Sequence, residues 1–298
     1  MKAPPFRYLR PDSVEQVWDA LEEFGDEAKV LAGGQSLLPL LNLRLAHPAV
    51  LVDIGRLSGL RRLESEPEGG LLCGSLVTHH ELELGSAPEL APFGALARAA
   101  SHISHLPIRT RGTIGGSIAH ADSASEWCLM ALVMGAEIVA ESRTGTRTIA
   151  ASEFFHGFFT TALEPHEIIT ALRFPRPTGV ARLDEYARRS GDFAIVAAAA
   201  DVGISSSGRL LDARIALGGV AGSALRVPEA EAVLEGLPVA DAGEDAIAEA
   251  AYVAAHSVRP AGDAHGSAAY RRRLVEVLVV RALRGCVEAQ KEQWTHGG

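Results

Sequence analysis

Two glycine pairs limit what this chain can become: Ala32-Gly33-Gly34-Gln35-Ser36 and Thr113-Ile114-Gly115-Gly116-Ser117. Glycine admits positive φ and lets another backbone, or a ligand, approach the chain closely. The first pair follows a short apolar run, Lys29-Val30-Leu31-Ala32, which reads as a buried strand stopping in a turn. A helix through Leu37, Leu40 and Leu41 begins straight afterwards. Ser36 is placed to cap it, and Pro39 is tolerated in its first turn. The N–H groups of such a turn, added to those at a helix start, form an anion cradle. One loop holds one phosphate; two loops on adjacent units clamp a diphosphate between them. A side chain at Gly33 or Gly115 is then expected to block the ligand and spare the fold. Arg109 and Arg111 lie just before the second loop and add positive charge. Either pair alone is ordinary turn chemistry, so the pairing is the informative feature. Neither loop is a G-x-G-x-x-G or a G-x-x-x-x-G-K-[ST], which disfavours a doubly wound nicotinamide fold and a P-loop ATPase.

The 298 residues read as three units with a short tail. Residues 1–57 form a compact αβαβ unit, with a helix from Ser13 to Phe24 and strands at Lys29–Ala32 and Val50–Ile54. Residues 58–176 form a second unit. Glu68-Gly69-Gly70 is its hairpin turn, Leu90 to Ile103 is helical by period, and Ser123-Ala124-Ser125-Glu126 has the form of a capping box before a helix ending at Gly135. Pro175-Arg176-Pro177-Thr178-Gly179 reads as a linker. Residues 177–289 run strands first and helices after, which predicts a separate α+β layer. Residues 290–298 read as a frayed tail.

Composition removes several classes. The chain has 28 basic against 37 acidic residues and a net charge of -9, which argues against a nucleic-acid footprint and against attraction to anionic lipid. Cys73, Cys128 and Cys286 are far apart and form no C-x-x-C, so an internal iron–sulfur cluster or cysteine-rich zinc site is disfavoured and a reducing compartment expected. The N-terminus shows no apolar secretory core, and the longest uncharged apolar run, Trp127 to Ala136, is too short to span a bilayer. A cytoplasmic protein without membrane insertion is expected.

The histidines are read as structural. His79-His80 and the i,i+3 pair His102/His105, with Glu81 or Glu83, could be offered as metal ligands. His79 and His80 on a strand would point to opposite faces, however, and no H-E-x-x-H occurs, so polar surface or core histidines are the better reading and no metal site is assigned. Gly115-Gly116-Ser117-Ile118-Ala119 lacks the second glycine of a nucleophile elbow. Phe193, after the Gly191-Asp192 turn, is by default a core strand residue; the alternative is a ring presented to a planar cofactor.

The motifs resemble one family over nearly the whole chain: the FAD-binding medium subunit of molybdenum hydroxylases, the group of carbon monoxide, xanthine, nicotine and quinoline dehydrogenases. The resemblance starts at Pro5-Phe6-Arg7-Tyr8 and continues through Leu31 to Pro39, Ile108 to Ser117, and Ala119-His120-Ala121-Asp122. It takes in Gly191-Asp192-Phe193-Ala194 and ends at Gly266-Ser267-Ala268-Ala269-Tyr270-Arg271-Arg272. It implies an α+β protein: a two-part FAD-binding region of the vanillyl-alcohol-oxidase (PCMH) type, followed by a smaller α+β C-terminal domain.

By that resemblance Ala32, Gly33, Gly34, Gln35 and Ser36, with Thr113, Ile114, Gly115, Gly116 and Ser117, hold the FAD diphosphate. Asp122 matches an acidic position contacting FAD, and Phe193 an aromatic position near the isoalloxazine. Ser117 and Ser123 stand where Asn and Pro are frequent in the family, and Glu185 where some relatives have Lys. A serine hydroxyl can still hydrogen-bond, whereas Glu185 removes a cationic contact to the flavin. The resemblance also implies a large molybdopterin subunit, a small subunit with two 2Fe–2S clusters, and a dimer of such heterotrimers. The flavin subunit would pass electrons from the clusters to an external acceptor: NAD, quinone, oxygen or a cytochrome. No catalytic residue is then expected on this chain. The rival reading is a stand-alone FAD oxidoreductase with its own organic substrate, against which no acid/base pair is evident near either loop. A binding protein with a vestigial flavin site ranks last.

Overall fold

The computed structural model describes residues 2–176 and 180–296. Its first sheet is parallel. It combines β1 (Arg7–Leu9), α1 (Val14–Phe24), β2 (Ala28–Leu31), α2 (Leu37–Asn42) and β3 (Val50–Asp53), in strand order β1-β3-β2. Ser13 starts α1 by accepting the Gln16 N–H. Val17, Leu21, Val50 and Val52 form the core of this unit, together with Leu60, Leu76 and Ile168 from further along the chain. The sequence reading lacked β1, whose three residues carry no periodic signal.

The second sheet is antiparallel. Its strands are β4 (Leu63–Ser65), β5 (Leu71–Gly74), β6 (Glu137–Ser142), β7 (Gly145–Ala150) and, last in sequence, β10 (Ile168–Phe174), in order β4-β5-β10-β6-β7. Between β5 and β6 run α3 (His79–Leu84), α4 (Gly94–His102), α5 (Leu106–Arg109), α6 (Ile114–His120) and α7 (Glu126–Val133). After β7 comes a small hairpin of β8 (Phe155–Gly157) and β9 (Thr160–Thr161). Helix α7 is apolar on every side, and Trp127 through Val133 are all buried. A helix of that composition belongs in the middle of a core.

The third sheet, β11 (Arg182–Tyr186), β12 (Val196–Ile204), β13 (Leu210–Gly218) and β14 (Leu225–Arg226), is antiparallel in chain order. Three helices follow it: α8 (Pro228–Leu234), α9 (Glu244–Ser257) and α10 (Ala268–His296). Strand β12 is buried on both faces. Ala197 and Ala199 pack into the core around α7, while Val196, Ala198, Ala200 and Val202 pack on the other side against α10, in the core that also takes in α9. The alternation follows the pleat, and alanine lets two layers come close to one sheet.

Several local expectations are corrected. Residues 123–126 form no capping box. The helix starts at Ser125 without a side-chain cap, and the Ser125 hydroxyl is paired with Ser117 Oγ at 2.8 Å. The box is instead at Thr78 and Glu81, where each side chain bonds the other's N–H, at 3.2 and 2.8 Å. His79 and His80 therefore open a helix and are not on a strand. Ser36 stands at the start of α2 without a capping bond. The first part of the 90–103 segment is a 3-10 turn, Pro88–Phe93, because Pro92 interrupts an α-helix. Helix α10 runs on through the expected tail to His296. Residues 177–179 of the expected linker, and the last two of the tail, lie outside the described residues.

Candidate functional site

The fold brings the two glycine loops into contact, and the contact is backbone to backbone. A Cβ on Gly33 would stand 2.1 Å from the Arg111 carbonyl oxygen and 2.8 Å from Gly112 Cα. A Cβ on Gly116 would reach 3.7 Å from Ala32 Cβ. Beside this crossing lies a cleft of about 280 Å³. Ala32, Gly33, Gly34 and Thr113 line it, with Arg10 and Arg111 among its cations.

Counting backbone hydrogen bonds separates the two loops. Around the second, the Ile114 N–H goes to Val77 O, Gly115 N–H to Ser75 O, Gly116 N–H to Thr113 Oγ1 and Ser117 N–H to Thr113 O, all at 3.0–3.1 Å. The start of α6 thus has no spare donors, contrary to the expected second cradle. Gly115 is there for packing: a Cβ would meet Ser75 Cβ at 2.4 Å. The glycine pair forms the first turn of α6, a helix the small, glycine-rich stretch did not announce.

The first loop differs. Among the described residues, the N–H groups of Gly33, Gly34, Gln35, Ser36 and Leu37 have no acceptor in the protein. These residues are half-buried, and a half-buried row of unpaired donors calls for an anionic or strongly accepting partner. Gln35 braces the loop by donating from Nε2 to Gly33 O at 2.9 Å. Gly34, at φ +74°, takes the left-handed turn that aims the row. Arg10, Arg61 and Arg111 line the same cleft. Its carboxylate, Asp53, is already held by the Tyr8 hydroxyl, by Gly55 N–H at 2.8 Å and by Arg10 at 3.8 Å. That bond to Asp53 raises the Tyr8 phenol above its ordinary range. This donor set fits a diphosphate. Arg10, Arg61 and Thr78 were missed from the sequence because nothing in their spacing links them to the loops.

Other expected residues are elsewhere. Arg109 does not face the cleft: it forms a two-pronged pair with Glu83 at 2.8 and 2.9 Å and donates to the carbonyls of Ile103 and Ser104. That pair holds the Glu83 carboxyl below its usual range. Ile114 is fully buried. Asp122, just after α6, accepts the Ala124 N–H at 2.9 Å. His120, at the end of α6, stacks on Phe159 with ring centroids 4.8 Å apart. His102 faces Glu185 at 3.7 Å. Phe193 is 81% exposed, which overturns its default reading as a core residue.

His79 braces the second loop. It is buried, its N–H donates to Gly112 O at 3.0 Å, and its ring lies where a Gly112 Cβ would be. Trp127 Nε1–H donates to His79 Nδ1 at 2.9 Å, which requires the neutral ring. Burial, and secondarily Arg109, push its pKa down from 6.5 to about 4. Between those values the unfolded chain takes up a proton that the folded chain refuses, so stability falls as pH drops from 6.5 towards 4. His79→Asn keeps an acceptor near Nδ1 and cannot titrate. Its stability is expected to be flatter across that window; an unchanged slope would contradict the assignment. Trp127→Phe leaves Nδ1 unpaired and is expected to cost about 1–3 kcal/mol in thermal or urea unfolding.

A parallel βαβαβ unit packed on an antiparallel sheet, with a donor-lined cleft at their contact and a third α+β layer, defines a flavin-binding protein of two FAD-binding parts and a C-terminal domain. Comparison with known proteins agrees. Residues 4–177 match the family described as the FAD binding domain in molybdopterin dehydrogenase, and residues 181–286 match the CO dehydrogenase flavoprotein C-terminal domain. The nicotine 6-hydroxylase medium subunit of Paenarthrobacter nicotinovorans is 41% identical over 95% of this chain and 98% of its own. The carbon monoxide dehydrogenase medium chain of Hydrogenophaga pseudoflava is 35% identical over 95% and 97%. Among solved structures, quinoline 2-oxidoreductase from Pseudomonas putida 86 superposes with a TM-score of 0.89 at 35% identity, covering 97% of this chain and 99% of that one. The chain belongs to the FAD-binding medium subunits of the molybdopterin dehydrogenases. It is an oxidoreductase subunit whose cofactor is FAD. Among the described residues no helix is long and apolar enough to cross a membrane.

Proposed function

We propose that this chain is the FAD-carrying electron-transfer subunit of a cytoplasmic molybdenum hydroxylase. It receives electrons from 2Fe–2S clusters on a small partner subunit and delivers them to an external acceptor. Hydroxylation takes place on a large molybdopterin subunit, and the assembly is a dimer of heterotrimers. The observation that carries the reading is the row of unpaired N–H groups from Gly33 to Leu37 beside the Arg10–Arg111 cleft. Ala32, Gly33, Gly34, Gln35 and Ser36 hold the FAD diphosphate through their backbone. Thr113 closes the cleft from the other side. Ile114, Gly115, Gly116 and Ser117 act as the buttress that fixes where the first loop sits. Asp122 and Phe193 belong to the isoalloxazine end. The three-unit division at residues 57 and 176 puts the flavin where the units meet.

The flavin supplies the redox chemistry, exchanging electrons singly or in pairs; the protein supplies binding and orientation. The cleft offers cations and backbone donors, and its one carboxylate is tied up by Tyr8, Gly55 and Arg10. Such a lining suits a tightly held cofactor better than acid/base work on a substrate. Neither glycine loop contains a cysteine or histidine as an attachment point, so the flavin is held non-covalently. Acid or heat denaturation of the purified chain is therefore expected to release one equivalent of FAD into the supernatant. Yellow colour remaining in the precipitate would contradict this.

A further inference from the structure

The Phe193 ring projects into solvent, yet the backbone on both sides of it is fixed. Gly191, at φ +85°, presses on the imidazole of His105: a Cβ there would stand 2.3 Å from Cε1. Two residues beyond Phe193, the Ile195 N–H donates to Tyr186 O at 2.7 Å, and the Ile195 carbonyl accepts Arg271 Nη1 at 2.5 Å. A large apolar ring held out of the core on a braced segment is what a ligand-facing side chain needs, since leaving it in water costs about 1.5–3 kcal/mol.

Arg271 lies in the first turn of α10 and is 7% exposed. Its Nη1 also donates to Gly219 O at 2.8 Å, and Nη2 to the Asp263 carboxylate at 2.6 Å. Three separate segments therefore meet on one guanidinium: the stretch carrying Phe193, the turn after β13, and the turn before α10. Gly219, at φ +73°, must be glycine, because a Cβ would stand 2.5 Å from Ile195 O. Its N–H donates in turn to Ser123 O at 3.2 Å, next to Asp122. The planar fork of arginine can serve two carbonyls and a carboxylate together; the ammonium of lysine lacks that geometry.

We infer that Arg271 is a positioning residue that holds the Phe193 ring at the isoalloxazine, acting through the carbonyls of Ile195 and Gly219. The inference rests on the proposed placement of Phe193 at the flavin, and Arg271 itself touches no cofactor. The test uses the full-length, FAD-loaded chain and two readouts: hydrogen exchange across residues 192–196 and the visible circular dichroism of the bound flavin. Arg271→Lys is expected to speed exchange in that segment about tenfold. It should also shift the flavin dichroism towards that of Phe193→Ala. Asp263→Asn alters a half-exposed side chain and removes one anchor of the guanidinium. It should give a smaller change in the same direction, and it keeps the test readable if Arg271→Lys does not fold. Wild-type exchange over 192–196 in these variants overturns the inference, as does a loosened segment with wild-type dichroism. If Phe193→Ala itself leaves the dichroism unchanged, the placement of the ring at the flavin falls, whatever Arg271→Lys does.

Discussion

Replacing Gly33 by valine is expected to abolish FAD binding and to destabilise the chain as well. The new Cβ would stand 2.1 Å from the Arg111 carbonyl oxygen, 2.8 Å from its carbonyl carbon and 2.8 Å from Gly112 Cα. All three are backbone atoms, so no rotamer change relieves the clash. The 110–113 segment cannot simply retreat. Gly112 already lies against the His79 ring, and Ile114 and Gly115 are bonded to Val77 and Ser75. Overpacking of this kind costs about 1–3 kcal/mol. The larger effect is on the cofactor, because the loop that must move carries the unpaired donors. A loss of at least about 100-fold in affinity, or about 2.8 kcal/mol, is expected. Gly34→Ala makes a useful contrast. Its Cβ would meet only the flexible ends of Leu31 and Leu38 at 3.2 Å, and its main burden is the φ of +74°. It should fold, with a strain of about 1–2 kcal/mol in the donor row. Flavin titration and thermal unfolding on the same preparations separate the two effects. Gly33→Val binding FAD within tenfold of the native chain would contradict the apposition of the loops.

Much of this was legible in the sequence. Both glycine pairs do come together, the strand-then-helix order of the third unit holds, and Gly135 ends α7 in the left-handed conformation expected of a residue after a helix. What the sequence hid is which glycine does which job. Gly33 looked like space for a ligand and is space for Arg111; Gly115 is space for Ser75. Both need glycine for a close approach, and a sequence cannot name what approaches. The unpaired donors of the first loop and the saturated ones of the second are likewise invisible until partners are assigned atom by atom. Arg109 sat at the right spacing to serve the cleft but is captured by Glu83, 26 residues earlier in the chain. The start of α3 was missed because the Thr78–Glu81 box encloses His79-His80, which give no clear apolar period. Phe193 precedes Ala194, Ile195 and Val196 and so reads as strand, yet β12 begins only at Val196, leaving the ring on the connecting segment.

The central claim is that this chain moves electrons for partner subunits and oxidises no substrate unaided. The surface around the flavin must then be open to a docking partner, and the exposed Phe193 segment is consistent with that. The direct measurement is anaerobic. The FAD-loaded chain is mixed with nicotine, quinoline, caffeine, xanthine or carbon monoxide, and the flavin band at about 450 nm is followed. The same mixture is then completed with the proposed molybdopterin and iron–sulfur partner subunits. The account predicts an unchanged spectrum for the chain alone and loss of the band once both partners and a substrate of the complex are present. Loss of the band with the chain alone would contradict it and make this protein a self-sufficient flavin oxidoreductase.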